Sequence, residues 1–426
     1  MNGVERLAAT AAVARLAAGD LTAEALVRAS IDRAQQRAAL EAWAFFDPER
    51  ALAQARAIDR AGRPGPLKGV PIGIKDIIDT ADMPTGHGSP IYHGNRPFAD
   101  AACVALIRAA SGVVLGKTVT TEFANRHPGA TRNPHNPAHT PGGSSSGSAA
   151  AVADFHVPLA LGTQTGGSVI RPAAFCGVVG YKPSFGDFSR VGVKMQSHTL
   201  DTLGIIARTL EDVVLLRAVL LAETKAPAPI DRDIGAPRIG FCRTPAWDEA
   251  EPATHALLQR TAERLNAAGA ALREVTLPPP FDDILETHAR IFYFEAARNY
   301  GYEYEAHRDR VSEVLRMSVL EPGRALPLAA YIEAVEAAEA FRRHLDDLFG
   351  EVDLLLAPSA AGEAPPGLGS TGNARFNGLW TLAWTPCLTL PAGTGPNGLP
   401  LGIQLVGRRG RDRALLDAAA WVAARL

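Results

Sequence analysis

The stretch HTPGGSSSGSAAAVA, residues 139–153, sets Ser144, Ser145, Ser146 and Ser148 between a glycine pair and an alanine-rich run. A serine hydroxyl is a poor nucleophile at neutral pH and needs a base within hydrogen-bonding reach before it reacts. Three readings compete. Gly143, Ser145 and Gly147 match the spacing of a nucleophile elbow. An elbow needs a strand directly before the serine, and HNPAHTP, with Pro137 and Pro141, is a poor strand. The downstream His255, His288, His307 and His344 sit in helix-like or charged segments without a distinctive setting. Glycines ahead of a helix also offer backbone N–H groups to a phosphate, but Gly116-Lys117-Thr118 lacks the earlier glycine of a P-loop. The plainest reading is a helix-capping loop, for which serine and glycine are ordinary residues.

Two other segments shift that balance: GVPIGIKDI upstream carries Lys75, and GTQTGGSVIRP downstream is a second glycine and serine loop. PIGIKD at 71–76, PGGSSSGSAAAVA at 141–153 and ALGTQTGGSVIRPAAFCGVVGYKPSFG at 160–186 together resemble the amidase signature family. KDIIDTADMPT, GTQTGGSVIRPAAFCG and STGNARFNGLWTL resemble its malonamidase-type subgroup. The likeness covers about 62–210 and extends more weakly along nearly all the chain. It implies one large α/β domain over 1–426, with a mixed twisted sheet covered by helices on both faces.

Position by position, the resemblance gives Ser168 the nucleophile's place, Ser144 the bridging serine's, after a cis Gly143–Ser144 bond, and Lys75 the base's. Lysine accepts a proton only when neutral, so its ordinary pKa of about 10.4 has to fall. Burial behind the apolar PIGI would lower it by penalising the ammonium form. Ser144, donating toward Lys75 and accepting from Ser168, would then relay the proton. Backbone N–H groups of the Thr165-Gly166-Gly167-Ser168 turn are the expected oxyanion hole. The bland alternative for Lys75 is a pair with Asp76 at a strand end. Gln164 stands where many members have aspartate, and Arg171 follows Ser168 by three residues where many have arginine after two, a place held here by Ile170. In the malonamidase-type subgroup such an arginine binds the substrate carboxylate, which makes Arg171 the expected substrate-binding residue; otherwise it anchors a structural acid. No metal and no organic cofactor are implied.

These residues need elements to position them. Helical patterns run over roughly 3–18, 22–37 behind a Thr22 cap, and 48–61 with Pro48 first, forming an N-terminal layer over about 1–61. From Leu67 the texture turns to strand, helix, strand in GVPIGIKDI, AACVALIRAA and GVVLGKT. A helix at about 145–154, the strand PLALGT, the second glycine loop and strands near 176–181 and 203–207 follow. The Pro- and Ala-rich 223–237 reads as a connection between a front and a rear part. Beyond it RIGFCR, ALREVTL, VDLLLAP and GIQLVG read as strands, with helices at 252–268, 283–304 and 329–348.

The 426 residues carry 43 basic and 45 acidic groups, a formal charge of -2, so neither a nucleic-acid groove nor a membrane surface is expected. Four cysteines without a CxxC pair suit a reducing cytoplasm, and neither a signal peptide nor a span of about 18 apolar residues is found. A small-molecule amide is the expected partner, and a homodimer is compatible with the reading. The leading function is hydrolysis of a small carboxylate-bearing amide to acid and ammonia. The alternatives are an aryl amide or carbamate hydrolase, with Trp380 and Trp384 lining an apolar pocket, and the amidase subunit of a tRNA-dependent amidotransferase. For the amidotransferase role the chain looks short. A binding protein that keeps the fold without the chemistry is disfavoured by the intact Lys75, Ser144 and Ser168.

Overall fold

The computed structural model describes residues 3–62, 64–225, 227–278 and 281–426. Its strands are β1 (Trp43–Phe46), β2 (Pro71–Lys75), β3 (Val113–Thr118), β4 (Leu159–Gln164), β5 (Val179–Lys182), β6 (Thr202–Ala207), β7 (Arg238–Arg243), β8 (Ala271–Thr276), β9 (Leu354–Pro358), β10 (Cys387–Thr394) and β11 (Pro400–Gly407). They form one sheet in the order β1-β3-β2-β4-β6-β5-β10-β11-β9-β7-β8. β2 runs parallel to β3 and β4, and β7 to β8 and β9. The other pairs are antiparallel.

PIGIK, VVLGKT and LALGTQ are buried at every position, as strands covered on both faces must be. Successive side chains point to opposite faces. Val114, Leu159 and Leu161 enter one core, while Val113, Leu115 and Ala160 enter another. The first core lies under the helices Ala102–Ala109, Leu210–Leu220, Pro252–Ala267 and Asp412–Ala423. On the opposite face, Ala23–Gln36, Pro48–Ala61 and Ser146–Ala153 cover the front strands, and Ile284–Asn299, Leu328–Leu348 and Arg375–Leu382 cover the rear ones. The fold is thus the expected α/β architecture. No described helix is long and apolar enough to cross a membrane.

Local chemistry sets many boundaries. Thr22 Oγ1 accepts from Ala25 N at 3.1 Å and caps its helix. Pro48 opens the next, where Asp47 accepts from Arg50 N at 3.1 Å. The described residues of 223–237 form neither helix nor strand, as a connection should; Ala226 lies outside the described residues. Other boundaries differ from the sequence pattern. The first helix is a short turn, Val4–Arg6, followed by Ala9–Ala18, and the pattern at 283–304 divides into Ile284–Asn299 and Gly301–His307. β1, β10 and the helix Ile170–Cys176 were not expected at all. That helix starts two residues after Ser168 and tolerates Pro172 because its first turn needs no N–H there.

The topology places the conspicuous loops together. Since β2 and β4 are parallel neighbours, Lys75 at the end of β2 and the turn after β4 open on the same carboxyl edge, where open α/β sheets bind ligands. The crossover from β3 to β4 brings the start of the helix Ser146–Ala153 to that edge, with Gly147 N donating to Val119 O at 3.0 Å. A Cβ on Gly147 would lie well inside contact distance of Ala42 O and Val119 N, both backbone atoms that cannot rotate away. Gly147→Ala is therefore expected to destabilise the fold by about 1–3 kcal/mol through overpacking, read as a lower midpoint in urea unfolding at unchanged slope.

Candidate functional site

Lys75 is fully buried, at 0 % exposure. Its Nζ lies 2.7 Å from Ser144 Oγ and 2.8 Å from Thr163 Oγ1. Burial pushes its pKa well below the ordinary lysine range; the charge of Asp201 works against that shift and the charge of Arg171 with it. A neutral amine has one lone pair and two N–H groups, so it can accept from the Ser144 hydroxyl while donating to Thr163. The neighbouring Asp76 does not pair with Lys75. Its carboxylate lies 3.3 Å from Lys117 Nζ. Gly143–Ser144 is cis.

Ser168 is 9 % exposed and lines a cavity of about 570 Å³ together with Thr165, Gly166, Gly167 and Arg171. Its Oγ makes no hydrogen bond to the described residues, so the expected link from Ser168 to Ser144 is not formed here. Bonds of this kind commonly tighten only once substrate is bound. The preceding turn has a defined polarity. Thr165 O accepts from His288 Nε2 at 2.8 Å, and Gly166 O from Thr381 Oγ1 at 3.0 Å. Gly167 O accepts from Arg171 N at 2.9 Å, and Ser168 O from Ser145 N at 3.3 Å. With every carbonyl of the turn engaged, the N–H groups of Gly166, Gly167 and Ser168 are left without acceptors among the described residues. Such a row of free donors beside a hydroxyl suits a developing oxyanion. A Cβ on Gly167 would run into Asn377 Oδ1, so only glycine fits there without moving the turn or the Asn377 side chain.

Gln164 braces the same turn from below. Its Oε1 accepts from Val169 N and Ile170 N at 2.9 and 3.0 Å, and its Nε2 donates to Thr381 Oγ1 at 3.1 Å. The side chain thereby satisfies donors that open the helix Ile170–Cys176. Arg171, 4 % exposed, sits inside that helix. Its Nη2 donates to Gly143 O at 2.6 Å and to Thr371 Oγ1 at 3.1 Å, while Nε and Nη1 have no partner among the described residues. No acidic side chain pairs with it among the described residues, so it anchors no structural acid. Burial brings its pKa down to about 10, which leaves it charged at neutral pH.

The structure thus brings Lys75, Ser144, the 165–168 turn and Arg171 to one place. Ser145, the elbow candidate, is wholly buried, with Oγ 3.3 Å from Thr163 N and 3.4 Å from Thr163 O, and no strand precedes it. Trp380 and Trp384 do not line the cavity, contrary to expectation; its aromatic lining comes from Phe292 and Tyr293 instead. Trp380 is packed in the rear core. Trp384 stacks on Phe185 and donates to Thr199 O at 2.7 Å. His288 is the residue most underrated by its sequence setting. A carbonyl can only accept, so Nε2 carries the proton, and burial lowers the pKa of the ring and keeps it neutral. Among the described residues no group of three or more His, Cys, Asp or Glu side chains is arranged to hold a metal.

Comparison with known proteins bears on the family and the fold. A family model described as Amidase matches residues 25–416. A glutamyl-tRNA(Gln) amidotransferase subunit from Chloroflexus aggregans is 35% identical over 469 aligned residues, covering 98% of this chain and 96% of that one. A crystal structure of an amidase superposes with a TM-score of 0.90 at 31% identity, over 99% of this chain and 100% of the other. The peptide amidase from Stenotrophomonas maltophilia does so with a TM-score of 0.85 at 30% identity, over 98% and 96%.

His288 ties the rear helix Ile284–Asn299 to the front turn through one bond. His288→Leu leaves Thr165 O without its donor and is expected to cost about 1–3 kcal/mol of stability, measured by urea unfolding. His288→Gln, which keeps an N–H donor, is expected to lose less.

Proposed function

The chain belongs to the amidase family, enzymes that act on amide carbon–nitrogen bonds, and from that premise we propose that it hydrolyses a small carboxylate-bearing amide of malonamate type through an acyl-enzyme on Ser168. Ser168 Oγ attacks the carbonyl carbon while its proton passes through Ser144 to neutral Lys75. The oxyanion takes the N–H groups of Gly166, Gly167 and Ser168. The carbon–nitrogen bond breaks as nitrogen receives that proton, and ammonia leaves. Water then attacks the ester by the same relay, and the carboxylic acid departs with Ser168 restored.

The buried bond between Lys75 and Ser144 supports the relay. One observation carries the anionic substrate: Arg171 is a buried, charged guanidinium with two unpaired nitrogens and no acid beside it, on the wall of the cavity that holds Ser168. An uncompensated buried charge is costly. A substrate carboxylate in that cavity would supply the counter-charge. For the aryl amide or carbamate alternative, Trp380 and Trp384 lie away from the cavity, and Phe292 and Tyr293 are the aromatic residues that line it.

The curated relatives favour a second reading over malonamate, the amidase subunit of a tRNA-dependent amidotransferase, because several of them are subunits of glutamyl-tRNA(Gln) amidotransferases. That role would replace the expectation of no nucleic acid with tRNA and partner subunits. One assay separates the two. Ammonia release by the chain alone, from a panel of small amides with and without a carboxylate, favours the first. Release only when partner subunits and misacylated tRNA are supplied favours the second.

Arg171→Gln is expected to lower kcat/KM for an acidic amide by about 2–4 kcal/mol in transition-state terms, as loss of one partner of a desolvated charge pair does. A neutral amide of similar size should be far less affected. An equal loss for both would make Arg171 structural. The pH profile tests the base separately. Only neutral Lys75 accepts the proton, and its pKa is lowered in the fold. Activity should therefore be present above that lowered value and fall away as pH drops through it, with the limb well below the ordinary lysine pKa of about 10.4. Chelators should leave the profile unchanged.

A further inference from the structure

A helix on a protein surface needs one apolar stripe to face the core, and polar residues elsewhere. The helix Ile284–Asn299 has a second stripe, on the other side of His288. Ile284, Ile291 and Phe294 are buried and make the first. Leu285, Ala289 and Phe292, four and then three residues apart, share a face. Each is only half-buried, and each lines the cavity that holds Ser168. The polar face is separate, with Glu286 and Arg290 exposed and paired with each other. His288 fixes how far the second stripe lies from the chemistry. Its Nε2 is bonded to Thr165 O in the turn, and its ring lies 6.3 Å from the ring of Phe292. Phe292 is thus one helical turn beyond the residue that grips the oxyanion turn. Tyr293 extends the wall, its ring 5.5 Å from that of Phe292 and its hydroxyl accepting from Arg126 Nη2 at 2.7 Å. Val314, 40 % exposed, adds an aliphatic edge. Cavities that bind small molecules combine such apolar walls with a few polar groups that fix orientation. Here those groups are the turn and Arg171. Malonamate, with a single methylene between its polar ends, fills little of a cavity of about 570 Å³ and leaves this wall uncovered.

We propose that the substrate is a carboxylate-bearing amide with an aromatic or branched apolar group on the carbon between its two carbonyls, and that Leu285, Ala289 and Phe292 form the subsite for that group. The proposal rests on the acidic-amide reading. With the amide oxygen at the turn and the carboxylate at Arg171, the substituent on the intervening carbon is the part of the molecule left to meet the wall. Its contact with the stripe takes apolar surface out of water on both sides, which favours binding without any directional bond. The three residues would therefore determine specificity and take no part in the proton relay.

The experiment measures ammonia release as kcat/KM for malonamate, for benzylmalonamate, which adds the apolar group, and for hydrocinnamamide, which keeps that group and loses the carboxylate. It is run on the intact chain, on Phe292→Ala, which removes most of the wall, and on Ala289→Leu, which fills the subsite. Ala289→Leu leaves the core side chains in place and keeps the test open where Phe292→Ala does not fold. Even one methylene in an apolar pocket changes specificity by about 10–200-fold. Benzylmalonamate is accordingly expected to exceed malonamate at least tenfold in the intact chain, and that ratio to fall at least fivefold in either variant. A ratio near one in the intact chain, or an equal loss on both substrates in the variants, overturns the subsite while turnover of malonamate leaves the acidic-amide reading standing. Hydrocinnamamide turned over as fast as benzylmalonamate overturns that reading, and the proposed substrate with it.

Discussion

Lys75 is buried with no carboxylate against it among the described residues, and the chemistry proposed for the site depends on that arrangement. A paired carboxylate would hold the ammonium form and leave no lone pair to accept a proton. The adjacent acid, Asp76, is engaged by Lys117. The acid whose charge does reach Lys75, Asp201, has its oxygens taken by Thr165 Oγ1, Gln196 N and Ser197 N. Arg171 adds a second cation that makes a charged Lys75 still less favourable. The same burial acts differently on the two. It takes lysine toward the neutral form, whereas a guanidinium begins so far above neutrality that it keeps its charge. One environment therefore yields a neutral amine and a fixed cation within the same site.

That environment follows from the order of the strands. β2 and β4 are parallel neighbours in the middle of the sheet, so the residues just past their ends are covered on both faces by helices and open only at the edge. Lys75 ends one strand and the 165–168 turn follows the other. The helix that connects β3 to β4 starts at the same edge and carries Ser144 just ahead of it. Dryness at Lys75 is thus a property of its place in the sheet. Proximity to both serines comes from the crossover, and neither requires a long-range coincidence.

What could be read from the sequence divides along the same line. Lys75, Ser144, Ser168 and Arg171 lie in or beside short glycine-rich segments whose texture is local, and the caps at Thr22 and Asp47 are local too. His288, Asn377 and Thr381 act through tertiary approach. ILETHARIF shows little beyond ordinary helical composition, and nothing nearby says which carbonyl or amide each will meet. The helix Ile170–Cys176 was hidden because a side chain from the preceding strand, Gln164, completes its opening turn. In STGNARFNGLWTLAWTP the aromatic residues drew attention, yet the helix Arg375–Leu382 turns Asn377, Gly378 and Thr381 toward the site and sends Trp380 into the core.

The two halves of the chain therefore contribute unequal kinds of information. The front half supplies the groups to which the proposed reaction assigns bond making and breaking, fixed by strand ends and a single crossover. The rear half supplies His288, Thr381 and Asn377, which grip the turn's carbonyls or crowd its glycine and so aim its N–H groups at the cavity. A change in the rear half can reshape the cavity wall while leaving Lys75 and Ser144 as they are, whereas a change at Lys75 or Ser168 removes the proposed base or nucleophile outright. Similarity across the whole chain consequently supports the bond that is cleaved more firmly than the molecule that carries it. The substrate has to be inferred from what the fold leaves unsatisfied on the cavity wall, above all the charge of Arg171.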